Sequence, residues 1–251
     1  MDMKKKMNYS NYEKAQMCGS LFYYDSEYNS DLAYEVFSVL EKHKFFPPKK
    51  VYADLLTKRK FVNYSPDMRS LLVKAYSEKN VFGIDMATGN NTSENDYWRL
   101  TWDFTFYKNE KLCVTPQFMP WNVLSLYSTH GLLEDEGIYR NYLSCLLELI
   151  TVIDPFYMKI DDVSNSVDLL AKIKQTHFTP GCVQQIYWGN YFGPQYCSKY
   201  NVFASNVIPA YKSESVGNGI FFTLSDNLLD FSSDECITRR KEILKYLQIK
   251  Q

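Results

Sequence analysis

The chain has 251 residues, of which 45% are hydrophobic and 16% aromatic, and a formal net charge of -1. That much apolar material excludes a disordered chain and is enough to bury roughly 70 to 75% of the unfolded surface. The near-neutral balance lacks the basic stripe that nucleic-acid binding requires, and no apolar run approaches the ~20 residues of a membrane span.

Tyrosine is abundant, at 21 residues, and its apolar body with a polar tip suits half-buried sheet faces and contact surfaces. Lys4-Lys5-Lys6 reads as a solvated terminus. The six cysteines, Cys18, Cys113, Cys145, Cys182, Cys197 and Cys236, form no C-x-x-C pair and have no histidine set nearby, so neither a zinc site nor any other metal centre is expected. Scattered cysteines without a signal peptide read as a reduced, cytoplasmic protein.

Residues 1–20 read as a loose lead-in or a short edge element, with a single domain over 21–251. Asp31 to His43 has helical spacing, with Leu32, Val36, Val39 and Leu40 on one stripe and Pro47-Pro48 beyond its end. A second helix is expected from Ser65 as N-cap, with Pro66 at its first position and Leu71, Leu72 and Ala75 buried. Val81 to Met86 reads as a strand. Tyr97 to Tyr107 alternates, with Trp98, Leu100, Trp102, Phe104 and Phe106 on one side. Leu112 to Val114 and Asn122 to Ser128 offer further strands.

Ile138 to Ile153 changes to helical spacing, carrying Tyr142, Cys145, Leu146 and Leu149 and ending at Asp154-Pro155. Phe156 to Asp161 is expected as a strand, Ser166 to Lys174 as a short helix, and Pro194 to Tyr200 as a turn or two of helix. Val202 to Lys212 and Ile220 to Leu224 read as strands joined through Gly217-Asn218-Gly219. The last helix spans about Ser233 to Gln248 with a Ser232/Glu235 capping box. Hairpins outnumber crossovers, which predicts an α+β fold whose mainly antiparallel sheet is covered by helices. The two halves share a rough order of helix, strand and tryptophan-bearing segment without a matching residue string. A sub-boundary, if there is one, falls near residues 131–137.

Catalytic signatures are missing. His43, His130 and His177 accompany no G-x-S-x-G elbow and no H-E-x-x-H, so no catalytic residue is assigned and no cofactor is called for. Asp161-Asp162 and the acidic turn Glu134-Asp135-Glu136 are the acids most suited to a carboxylate chemistry. Turn formation and helix capping explain the first and solvation the second. Ile186 to Pro194 is a rigid aromatic turn. Trp188 is expected in the core, Gly189 and Gly193 at backbone angles closed to other residues, and Asn190 bonded to the turn. A second reading makes Tyr187, Tyr191 and Phe192 part of a partner-binding face.

Three stretches carry a resemblance: Tyr187 to Pro194, Val207-Ile208-Pro209-Ala210, and Gly217 to Ser225. Over its last third to half the chain resembles bacterial immunity proteins, closest to the immunity protein 52 family and more loosely to type VI secretion immunity proteins. The resemblance implies an α+β protein that binds and blocks a cognate protein toxin, often of nuclease type. Such proteins are often clearly acidic; this chain departs from that, which favours occlusion over nucleic-acid mimicry. The residues expected at the contact are Tyr187, Asn190, Tyr191, Asp161, Asp162, Glu134 and Glu136. Two alternatives are a metal-dependent hydrolase or nuclease using Asp103, Asp161 and Asp162, and a self-assembling structural module of a phage or secretion system.

Overall fold

In a computed structural model, the protein is described over residues 16–24, 29–53, 56–58, 60–78, 81, 83–87, 98–103, 122–162, 183, 185–202 and 208–249. These residues form ten strands and six α-helices. The strands are β1 (Gln16–Tyr23), β2 (Lys50–Tyr52), β3 (Val62–Asn63), β4 (Gly83–Ala87), β5 (Trp98–Asp103), β6 (Asn122–Thr129), β7 (Tyr157–Asp162), β8 (Gly189–Phe192), β9 (Lys212–Val216) and β10 (Gly219–Thr223). The helices are α1 (Ser30–Lys42), α2 (Met68–Ser77), α3 (His130–Leu133), α4 (Glu136–Ile153), α5 (Pro194–Tyr200) and α6 (Asp234–Ile249). One sheet runs in the order β3-β2-β4-β5-β6-β1-β7-β8-β10-β9, and every pair in it is antiparallel. The chain is therefore α+β, with a large antiparallel sheet.

Register sorts the side chains onto two faces, because opposed residues of neighbouring strands share a face. Trp102, Leu124, Leu21, Met158, Tyr191 and Phe221 form one row across the sheet. Helices α1, α2 and α4 cover this face. Tyr76 of α2 stacks on Trp102 with ring centroids 4.9 Å apart, and Phe37 of α1 meets the same indole edge-on. Helix α4 crosses β1 at Gly19, where an added Cβ would fall 2.5 Å from Leu146. The Tyr142 hydroxyl donates to the Leu126 carbonyl, and Trp102 Nε1 donates to the Tyr23 hydroxyl at 2.5 Å.

The opposite face is aromatic toward β8. Tyr157 and Phe192 pack against Tyr196 and Tyr200 of α5, with Tyr157 and Tyr196 stacked at 5.3 Å. Toward the middle it turns polar, through Cys18, Ser20, Ser125, Tyr127, Thr101, Arg99 and Asp85. Ser20 and Ser125 share a 2.8 Å hydrogen bond. The Arg99 guanidinium grips the Asp85 carboxylate through Nε and Nη2.

Several expectations change. Residues 16–20 are the start of β1, which lies between β6 and β7 instead of in a lead-in. Met17 to Leu21 are all buried, so no inside-outside alternation marks them, and the small Gly19 and Ser20 are what let neighbouring elements approach. Helix α2 begins at Met68 instead of beside Pro66. Asp67 makes no side-chain cap, and Leu71 is exposed while Val73 and Tyr76 are buried with Leu72 and Ala75. Of the strand expected over 202–212, residues 208–211 are not strand and β9 begins at Lys212, while residues 203–207 fall outside the description. The α6 cap is Ser233, whose Oγ accepts from the Cys236 amide at 3.3 Å, one residue later than the expected box. Residues 1–15, the Leu112–Val114 strand and the Ser166–Lys174 helix lie outside the described residues. Of the alternating strand, Trp98, Leu100 and Trp102 are buried on one face as expected; residues 104–107 fall outside the description.

Candidate functional site

The Ile186–Pro194 segment is built inward. Trp188 is fully buried and its indole N–H donates to Ser225 Oγ at 2.8 Å, while Ser225 donates on to the Asn227 carbonyl. The Asn190 amide closes the turn in both directions. Its Oδ1 accepts from the Tyr187 N–H at 3.1 Å and its Nδ2 donates to the Tyr187 carbonyl at 2.9 Å. Of the expected contact residues, Asn190 and Tyr191 both have zero exposure, so the turn presents neither side chain at the surface. The glycines are needed for space, not for their angles. Gly193 has an ordinary φ of -70°, and a Cβ there would lie 2.7 Å from the Pro155 carbonyl oxygen.

The two aspartates at the end of β7 separate. Alternation along the strand sends Asp161 to the face with Lys159 and Asp162 to the helix-covered face, so they do not form a carboxylate pair. Asp161 lies 3.8 Å from Arg240 of α6. Burial pushes its carboxyl up to about 6, against the opposing pull of Arg240 and Lys159. The same burial lowers the Lys159 ammonium, which sits 4.6 Å over the Tyr187 ring. Tyr187 is half-buried and pushed up to about 12, first by burial and then by Asp161. These four side chains form a largely desolvated cluster under α6. Among the described residues no group of three or more His, Cys, Asp or Glu is placed to hold a metal ion. The Asp103 and His130 side chains and all of His177 lie outside the described residues. His43 is tied into a helix-helix contact, its ring nitrogens facing Asn141 Oδ1 at 2.8 Å and Glu148 at 2.9 Å.

A groove of about 610 Å³ opens on the helix-covered side, within the range of ligand clefts. One wall is α3 with the first half of α4, giving Glu134, Glu136, Tyr139, Arg140, Leu143 and Leu147. The other is the β10–β9 hairpin and the turn after it, giving Lys212, Glu214, Phe221, Thr223 and Asp226. Trp188 forms part of its floor, so the aromatic turn shapes the groove without being its contact face. Of the expected contact residues, Glu134 and Glu136 are exposed and line it. Glu214, Asp226 and Tyr139 were not legible as site residues. Glu214 and Asp226 stand about 80 and 90 positions from Glu134 and Tyr139 carries no motif, and only the closure of the sheet brings them together.

Four lining carboxylates face two cations. Glu136 pairs with Arg140 and Glu214 with Lys212 at 3.6 Å, leaving Glu134 and Asp226 without a cation among the described residues. Tyr139 stands between the walls and donates to the Asp226 carbonyl at 3.0 Å. Burial first, and the carboxylates of Asp226 and Asp230 after it, push its hydroxyl up to about 12. The arrangement offers an apolar floor beneath a negative rim, and so suits binding of a partly cationic group.

No helix of the described residues is long and apolar enough to cross a membrane. No protein family and no curated protein matches the sequence. Among solved structures the fold is similar to that of the Pseudomonas aeruginosa T6SS (type VI secretion) protein PA0821, with a TM-score of 0.59 at 9% sequence identity, over 91% of this chain and 73% of that one.

Proposed function

We propose that this protein is an immunity protein that binds a cognate bacterial toxin and neutralises it by occlusion. The observation that supports the reading most is that a T6SS protein shares the fold across 91% of the chain. The resemblance of the C-terminal half to immunity proteins agrees with it. So does a surface that offers a groove for binding (Glu134, Tyr139, Phe221, Asp226), while the acids expected to act as a metal pair point to opposite faces of the sheet. The working location is the cytoplasm, where such a protein meets its toxin.

Co-expression with the product of the neighbouring gene tests this. The expected result is rescue of growth and co-purification of the two proteins in a defined ratio. A neighbouring product that is toxic, yet neither bound nor neutralised, would sink the reading.

A further inference from the structure

Resting on that reading, we infer that the groove between α4 and the β10–β9 hairpin is the docking site for a basic segment of the partner protein. An arginine or lysine of that segment lays its stem over Leu143, Leu147 and Phe221 and brings its cationic head to Glu134 and Asp226. The argument is one of complementarity. Leu143 and Leu147 are only partly buried on the helix wall, and the aliphatic stems of long cationic side chains cover such surface well. The two wall carboxylates that have no cation among the described residues stand on opposite sides, one before α4 and one after β10. The other two are neutralised within their own walls. A cation arriving from outside therefore meets unmatched charge on both sides, whereas an acidic segment would meet repulsion. The volume of about 610 Å³ takes a few side chains of an extended segment.

The site can be probed without the toxin. A fluorescently labelled hexapeptide of alternating arginine and leucine is titrated into the full chain, with the glutamate-leucine peptide as control. Backbone amide shifts are followed by NMR. The expected result is saturable, salt-sensitive binding of the arginine peptide, with shifts confined to residues 132–147 and 211–227. Glu134→Lys with Asp226→Lys should weaken binding about tenfold or more, Glu134→Gln with Asp226→Asn should weaken it less, and Glu35→Lys on the outer face of α1 should leave it unchanged. Thermal melts of all variants identify any that fail to fold; the neutral pair then carries the comparison.

Equal binding of the two peptides would overturn the proposal, as would shifts that map elsewhere or a folded double variant that binds normally. So would a self-dimer that fills the groove. The two readings also fail separately. A groove that binds arginine in a protein that ignores its neighbouring toxin removes the immunity reading alone. A toxin neutralised as well by the charge-reversed variant removes the docking site alone.

Discussion

A Cβ at Gly193 would lie 2.7 Å from the Pro155 carbonyl oxygen and 3.0 Å from the Phe156 Cα, backbone atoms that cannot swing aside. Gly193→Ala should therefore cost about 1–3 kcal/mol or more, seen as a lower urea midpoint. Gly217 is the contrasting case. Its φ is +53° with nothing within 4 Å of the added atom, so alanine there should cost only the backbone preference, about 1 kcal/mol. Asn190→Ala strands the Tyr187 N–H and carbonyl in a buried turn and should cost about 1–3 kcal/mol per group left unsatisfied. Asp161 sets a pH dependence. Its folded carboxyl titrates at about 6, above its ordinary value, so its favourable contribution is complete in acid and is lost as pH rises through about 6. Asp161→Asn should gain stability relative to the wild type between pH 4 and pH 7; denaturation midpoints that keep a constant difference across that range would contradict this.

At the scale of elements, α1 and α4 are clamped by one carboxylate. Glu148 accepts from Lys42 at 2.7 Å and from His43 at 2.9 Å, while Asn141 Nδ2 donates to the His43 carbonyl. Lys42 and then His43 hold the Glu148 carboxyl below its ordinary value, so this contribution is present above the ordinary glutamate range and is lost as pH falls through the lowered value. Glu148→Gln should cost about 1 kcal/mol at neutral pH and flatten the acid limb of the stability curve. Elements were legible where one face alone is buried. The spacing of Tyr142, Cys145, Leu146 and Leu149 marked α4, and Trp98, Leu100 and Trp102 marked β5. Strand β1 was not legible, because burial on both faces erases the alternation. The groove was not legible either, since its walls are distant in sequence and only Glu134 and Glu136 stood out. Trp188 facing inward and Asn190 bonded to its own turn were legible, whereas the burial of Tyr191 was not, because aromatic turns can serve core or surface.

For the whole molecule, stability should grade outward from the strand pairs β6-β1-β7 and α4 above them. Amides there should exchange only by global unfolding, and those of the two edge strands β3 and β9 by local opening. Hydrogen exchange by mass spectrometry measures this; edge and centre exchanging at one rate would refute it. The placement of β1 has a further consequence, which concerns time. Gln16 is opposite Thr129 and Met17 is opposite Asp162, so the strand at the middle of the sheet is synthesised long before either of its neighbours. Such non-local pairing is slow: β1 cannot pair with β6 until the ribosome has delivered the chain past Thr129, and its other edge stays open until β7 follows. Until β6 emerges, β1 is an apolar strand waiting for its first partner, a segment for chaperones to shield.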